Sequence, residues 1–325
     1  MAQCIVVSEP GGPERLQVAE REIPHPGPQD ILIRQTAVGV NFIDVYFRTG
    51  LYKGPALPFV LGVEGAGIVE QLGAQVSDVA LGDRVAYASV MGAYASHRLL
   101  PAARAVKLPT QIDEETAAAV MLKGMTAQYL LSRSFAVKPG HTVVFHSAAG
   151  GVGSLACQWA RILGARVIGT VGNAAKIEKA RQNGCHEVVL RTDSNWVARV
   201  RELTSGVGAD VVYDSVGQAT FTGSLDCLKP HGMLVSFGQS SGKVPDFDIM
   251  ELSKRGSLLL TRPTLAHFIE TRAELEQTAG ALFSVLSSAL RVEIGARFAL
   301  SDAAQAHRAL ESGQTTGSTL LIPQH

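Results

Sequence analysis

The stretch Ser147-Ala148-Ala149-Gly150-Gly151-Val152-Gly153 has residue types and spacing that can do chemistry. It follows directly on the apolar run 142–146 and leads into an apolar, helix-forming segment, 154–163. A buried strand, a glycine turn and a helix in that order bring free backbone N–H groups and the positive end of a helix dipole to one point, where a pyrophosphate binds. Gly150 lets the backbone approach the phosphates, and Gly153 lets the helix pack closely on the strand. Ala148 stands where the G-x-G-x-x-G fingerprint has its first glycine, so the turn is a variant. Residues 141–172 therefore read as a βαβ unit that binds a nicotinamide dinucleotide.

The end of the second strand of that unit, 166–171, distinguishes the two nicotinamide dinucleotides. An NAD-binding unit carries an acid there to hold the ribose 2′-hydroxyl. Gly172 takes that place, Asn173 follows, and no Asp or Glu occurs from Ala148 to Ile177. Without the carboxylate a 2′-phosphate meets no repulsion, and Lys176 and Arg191 are cations placed to pair with it. NADPH is expected over NADH. The plainer reading of Lys176 and Arg191 is a pair of solvated surface charges.

The elements that must position this unit can be read along the chain. A length of 325 residues suits two domains. The first third is β-rich: short apolar runs at 31–33, 67–69 and 84–87 are separated by turn clusters at 24–28 and 81–83, which suits a partly open barrel or sandwich. A helix is predicted over 113–131, with acids in its first turn. Strands are predicted at 142–146, 166–171, 187–190, 210–214, 233–237 and 257–261, with helical stretches between most of them. That alternation implies an α/β fold with a doubly wound parallel sheet. A helix opens near Leu265, and 318–322 reads as a strand.

Composition narrows the partners. Lys plus Arg equals Asp plus Glu at 29 each, so neither nucleic acid nor an anionic membrane is indicated as the main partner. The four cysteines, Cys4, Cys157, Cys185 and Cys227, are far apart and form no C-x-x-C pair, which reads as buried reduced thiols. No signal peptide and no membrane-length apolar run is visible, so a soluble cytoplasmic protein acting on a small molecule is expected.

Several motifs, in order, carry a resemblance to a known family. They are Asn41-Phe42-Ile43-Asp44 with Tyr46, Arg48 and Gly50-Leu51-Tyr52; Gly62-Val63-Glu64-Gly65-Ala66-Gly67; Gly82-Asp83-Arg84-Val85; and Leu122-Lys123-Gly124-Met125-Thr126. The 146–153 stretch, Asp214-Ser215-Val216-Gly217, Phe237-Gly238-Gln239-Ser240-Ser241-Gly242, Thr261-Arg262-Pro263 and 317–323 complete the set. Along nearly its whole length the chain resembles the quinone oxidoreductase (zeta-crystallin-like) branch of the medium-chain dehydrogenase/reductase superfamily.

The resemblance implies a GroES-like, β-rich domain, 1–124 completed by 266–325, and a Rossmann domain, 125–265, with the cofactor in the cleft between them. It implies a homodimer that reduces quinones with NADPH, often one electron at a time. Asn41, Asp44 and Thr126 would lie near the nicotinamide and its ribose, Gly151 and Val152 at the pyrophosphate, and Asn173 and Lys176 at the adenosine ribose phosphate. Gly217, Phe237, Gly238, Gln239, Ser240 and Arg262 would line the rest of the groove. Many relatives carry a tyrosine near Arg191 that contacts the adenosine end, and this chain does not.

Zinc-dependent alcohol dehydrogenases of the superfamily place a cysteine where Asn41 stands and a histidine where Val63 stands. The four closely spaced cysteines of their structural zinc lobe are also missing here. Zinc takes thiolate, imidazole or carboxylate ligands, so no metal site is expected. Alcohol oxidation fits poorly without a Lewis acid, whereas an electron-poor quinone or α,β-unsaturated carbonyl needs less help. Tyr46 and Tyr52, with Asn41, are the catalytic candidates. A phenol can donate a hydrogen bond to an oxygen that gains charge, and its ring can pack on a flat acceptor. The blander reading is two tyrosines filling a cleft. Glu64 reads as a carboxylate held by backbone or an arginine, and His146 as a packed residue at a strand end.

Two other functions fit the same residues. One is an NADPH-dependent 2-alkenal or enone double-bond reductase. The other is a non-catalytic NADPH- or RNA-binding crystallin-like protein, against which the balanced charge and the lack of an aromatic-basic stripe argue.

Overall fold

The computed structural model describes residues 1–23, 25–244, 246–313 and 315–324. Pro24, at the start of the expected 24–28 turn cluster, lies outside the described residues. The chain divides into two compact units, Met1–Met125 with Ile269–Ser287 and Val292–His325, and Thr126–Phe268 with Ser288–Arg291. No described helix is long and apolar enough to cross a membrane.

The first unit is built on strands. Six follow one another across its larger, seven-stranded sheet: Ile294–Ala299, Ser318–Ile322, Asp30–Val40, Glu64–Leu72, Arg84–Ala88 and Val106–Lys107. His97–Pro101 also pairs with Asp30–Val40, and a smaller sheet joins Leu16–Arg21, Ala2–Val7 and Phe59–Val60. Ile31, Ile33, Val69, Val85 and Leu321 meet in one apolar core. The strand Asp30–Val40 runs for 11 residues, although only 31–33 stands out in the sequence. Gln35 breaks the apolar run, yet it is buried, and its amide donates to the Ala93 and Ala95 carbonyls at 2.7 and 2.5 Å. A polar residue with its hydrogen bonds made is tolerated inside a sheet.

The second unit holds six parallel strands in the order Glu187–Leu190, Arg166–Val171, Thr142–Phe145, Ala209–Asp214, Leu228–Ser236, Leu259–Thr261. This is the doubly wound Rossmann order, and it reverses direction at Thr142–Phe145, where ligands of such sheets bind outside the carboxyl ends. The central strands are buried apolar runs at 143–145, 167–168, 211–213 and 234–235, as a parallel sheet covered on both faces requires, whereas Leu259–Thr261 at the edge is largely exposed.

Boundaries moved for local reasons. The helix expected at 154–163 starts at Gly151, so the last three residues of the glycine turn form its first turn. The strand expected at 257–261 starts at Leu259, because Ser257 takes a left-handed φ of 56°. The strand expected at 233–237 begins earlier, at Leu228, with a register shift against Ala209–Asp214. The predicted 113–131 helix is Glu114–Tyr129, capped by the Asp113 carboxylate accepting from the Thr116 N–H at 2.7 Å. A π turn, Leu130–Ser134, follows it. The segment near Leu265 is a short 3-10 turn, Leu265–Phe268, before the helix Arg272–Ser288. All four cysteines are buried and free.

Candidate cofactor and active site

In the second unit the glycine turn is shaped by Ser147, whose φ of 56° bends the chain sharply after the strand. The Ala148 N–H donates to the Thr170 carbonyl at 3.0 Å and the Gly150 N–H to the Ser147 carbonyl at 2.8 Å. A Cβ on Gly153 would stand 2.2 Å from the Ser147 oxygen, so only hydrogen fits where the helix meets the turn. The departure at Ala148 is absorbed next door: a Cβ on Gly169 would lie 2.7 Å from the Ala148 methyl. Gly150 is extended, with φ −83° and ψ 175°, and the N–H groups of the turn it opens, including those of Gly151 and Val152, lack intrahelical acceptors.

At the end of the next strand, Gly172 is exposed, and a Cβ there would come within 3.0 Å of Arg191 Nη2. A guanidinium thus covers the place where an acid would hold a ribose hydroxyl. Asn173 caps the following turn, its Oδ1 accepting from the Ala175 N–H at 2.9 Å. Lys176 is half-buried, and burial lowers its pKa.

The carboxyl ends of Ala209–Asp214 and Leu228–Ser236 gather most of the other expected cofactor residues. Asp214 Oδ1 accepts from the Val216 and Gly217 N–H groups at 2.7 and 3.0 Å. Thr220 donates to both carboxylate oxygens, and Ser224 donates to Oδ2 at 2.9 Å. Gly217 has φ 85°, and a Cβ there would lie 2.8 Å from the Gly242 oxygen. A Cβ on Gly238 would lie 2.6 Å from the Ser215 oxygen. The Phe237 N–H donates to the Asp214 carbonyl at 2.8 Å and the Ser240 N–H to the Ser215 carbonyl at 3.2 Å, with Gln239 between them. Arg262 Nη1 donates to the Ser236 carbonyl at 2.8 Å. Thr126 is buried in Glu114–Tyr129.

His146 is fully buried, with Nδ1 2.7 Å from Thr170 Oγ1 and Nε2 2.9 Å from Ser224 Oγ. Because Ser224 gives its proton to Asp214, His146 must donate from Nε2 and accept at Nδ1, as a neutral ring. Burial lowers its pKa in agreement.

The first unit brings Asn41, Asp44 and Glu64 together at one corner. Asn41 ends the long strand and caps the helix Phe42–Arg48; its N–H donates to Asp44 Oδ2 at 2.8 Å. Its Nδ2 donates to Glu64 Oε2 at 2.9 Å. Glu64 is held by a lysine rather than an arginine: Lys123 Nζ lies 3.0 Å from Oε2, and the Leu122 N–H reaches Oε1 at 2.5 Å. Lys123 lies 59 residues along the chain, brought in by another helix, so charge type alone did not identify it.

Tyr94, Arg48, His307 and Glu311 extend this corner, and none was expected as a site residue. Tyr94 donates to Asp44 Oδ2 at 3.0 Å, and its hydroxyl lies 3.0 Å from His307 Nε2. Arg48 Nη1 lies 2.9 Å from His307 Nδ1, and its guanidinium meets both Glu311 oxygens at 3.0 and 2.7 Å. Burial pushes the Asp44 carboxyl up to about 7, with Glu64 adding to it against Asn41, Tyr94 and Lys123. Burial and the Arg48 charge push His307 down to about 3. Arg48 appears in the sequence motif beside Tyr46; His307 carries no local signal at all.

Tyr46 and Tyr52 lie together on that helix and just beyond it. Their ring centroids are 5.0 Å apart, and the Tyr52 N–H donates to the Tyr46 carbonyl at 3.0 Å. Tyr46 is buried and Tyr52 half-buried.

Comparison with known proteins places both units. Residues 27–110 match the alcohol dehydrogenase GroES-like domain, and residues 151–284 match the zinc-binding dehydrogenase family. A quinone oxidoreductase of Pseudomonas aeruginosa is 48% identical, over 99% of this chain and 100% of its own. A 2-haloacrylate reductase of Burkholderia sp is 42% identical, over 100% of both chains. A crystal structure of Escherichia coli quinone oxidoreductase complexed with NADPH superposes with a TM-score of 0.96 at 45% identity, covering 99% of this chain and 100% of that one.

The zinc implied by the second family description does not fit these residues. Asn41 offers an amide and Val63 no donor, while the Glu64 oxygens are engaged by an ammonium, an amide and a backbone N–H. Among the described residues no group of three or more His, Cys, Asp or Glu is arranged to hold a metal ion.

Proposed function

The chain belongs to the quinone oxidoreductase branch of the medium-chain dehydrogenase/reductase superfamily, and we propose that it is an NADPH-dependent quinone reductase that works without zinc. The observation that carries the cofactor choice is Gly172 with the Arg191 guanidinium beside it, a cation where an NAD-binding unit keeps an acid. When bound, NADPH supplies the hydride or electrons. The turn Gly150, Gly151, Val152 and Gly153 would hold its pyrophosphate; Gly172, Asn173, Lys176 and Arg191 would hold the ribose phosphate. Gly217, Phe237, Gly238, Gln239, Ser240 and Arg262 would line the groove, and Asn41, Asp44 and Thr126 would orient the nicotinamide end.

Tyr46 and Tyr52 would pack against the flat acceptor and donate hydrogen bonds to the oxygen that gains charge. Asn41, locked by Glu64 and Asp44, would hold the corner rigid. Residues 1–124 with 266–325 would form the catalytic domain and 125–265 the cofactor domain of a cytoplasmic homodimer. The test follows NADPH absorbance with 1,4-benzoquinone and 9,10-phenanthrenequinone, with NADH as the control. Turnover at least as fast with NADH, or none with either quinone, refutes the reading.

A second reading, reduction of an activated C=C bond, is favoured by the likeness to the 2-haloacrylate reductase. Turnover of a 2-alkenal faster than of any quinone would select it.

A further inference from the structure

The corner of the first unit buries two acids, Asp44 and Glu64, with two cations, Arg48 and Lys123. All four share one hydrogen-bonded network, which reaches Glu311 at the surface. Arg48 pairs with Glu311 and Lys123 with Glu64. Asp44, fully buried, is left without a cation of its own among the described residues. A buried carboxylate without a counter-charge is costly, and binding a proton removes that cost.

Hydrogen-bond polarity fixes where that proton goes. Arg48 can only donate, so His307 Nδ1 accepts and His307 is neutral with its hydrogen on Nε2. Nε2–H therefore donates to the Tyr94 oxygen, and Tyr94 turns its own O–H onto Asp44 Oδ2. The Asn41 N–H points at the same oxygen. Every link donates toward Asp44, and both donors land on Oδ2. Oδ1 is buried and meets no hydrogen-bonding group of the described protein.

We propose that Asp44 holds a proton on Oδ1 at neutral pH, and that Arg48, His307 and Tyr94 are the positioning residues that put it there. The charged and titratable groups facing Asp44 are accounted for: Glu64 and burial favour the proton, Lys123 and the Tyr94 hydroxyl oppose it, and the carboxyl titrates at about 7. His307 is neutral across this range. Tyr87, which senses both Asp44 and Glu64, is itself kept protonated by burial. The function of this proton rests on the quinone-reductase reading. Reduction of a quinone to a quinol by one hydride takes up one proton from solution, and quinone turnover should fall as pH rises through the midpoint of the Asp44 carboxyl.

Infrared titration of the full chain tests this without requiring activity. The protonated carboxyl stretch is assigned to Asp44 by its loss in Asp44→Asn. In the wild type it should disappear as pH rises through neutrality. Tyr94→Phe removes a donor to the charged form and should move the midpoint up by about one pH unit. His307→Leu should also raise it. His307→Gln, whose amide can accept from Arg48 and donate to Tyr94, should leave it in place, and it serves if the leucine variant does not fold. No Asp44 band at neutral pH, or one midpoint shared by wild type, Tyr94→Phe and His307→Leu, overturns the proposal. If the band behaves as expected and no quinone turns over, the proposal stands and the reductase reading fails.

Discussion

Each unit buries one aspartate completely, and the two are treated in opposite ways. Asp214 accepts on both oxygens, from Val216, Gly217, Thr220 and Ser224, all within ten residues of itself. Asp44 accepts on one oxygen only, from the Asn41 N–H three residues back and from Tyr94, 50 residues on, which is itself held by His307, a further 213 on. A saturated carboxylate with local partners fixes a turn and has no capacity to spare. A half-satisfied one, with one oxygen left without a partner, is poised between two protonation states. The second unit uses its acid as scaffold, and the first keeps its acid titratable.

Removing each acid is the most forceful way to break that contrast. Asp214→Ala strands two N–H groups and two hydroxyls in the interior and should cost about 4 kcal/mol or more in urea unfolding. Asp44→Asn at pH 8 should cost less than about 1 kcal/mol, because it also removes an uncompensated buried charge. Equal losses would erase the distinction.

The pH dependence of stability sharpens it. His307 has a folded pKa of about 3 against 6.5, so its contribution is full above pH 6.5 and is lost as pH falls toward 3. Asp44 has a folded pKa of about 7 against 3.8, so its contribution is full below pH 3.8 and is lost as pH rises toward 7. Between these limits the two slopes oppose and largely offset. Asp44→Asn should leave stability rising with pH across that window by up to ~1.4 kcal/mol per pH unit, and His307→Gln should leave it falling at a similar rate. Urea titrations at a series of pH values measure this, and parallel curves for the two variants would refute it.

In the second unit, Arg191→Ala should raise the KM for NADPH about tenfold and leave that for NADH nearly unchanged, as loss of one charge-assisted phosphate contact would. Lys176→Ala should act in the same direction. An equal effect on both cofactors removes the phosphate role. The smallest effect is expected from Tyr46→Phe and Tyr52→Phe, singly about threefold in kcat with quinones, since each keeps its ring and loses only a hydroxyl. Unchanged turnover of every acceptor in the double variant would eliminate the tyrosines.

What the sequence made legible was local. The strand, glycine turn and helix of 142–163 and the missing acid at Gly172 are set by neighbours along the chain. Gly169 could also have been read, since a glycine inside a strand marks a close approach, here to the Ala148 methyl. The acid corner was legible only at Asn41, Asp44 and Glu64. The donors that define it arrive from Tyr94, Lys123 and His307 through sheet and helix packing, and no spacing rule links those positions. Gln35 hid the length of its strand for a similar reason, because its partners are backbone carbonyls of a distant loop.

The strand Ser318–Ile322 lies between Ile294–Ala299 and Asp30–Val40 rather than at the edge of its sheet. Synthesis separates the two: the ribosome makes Asp30–Val40 long before Ser318–Ile322. The sheet of the first unit cannot close during translation until residue 322 has emerged, whereas the strands of the second unit are all complete by Thr261. Ribosome-arrested chains ending before Ser318 should therefore show protease protection of 126–268 first, and earlier protection of 30–107 would contradict that order. A strand made after the whole second unit is what finishes the sheet whose other strands were begun before it.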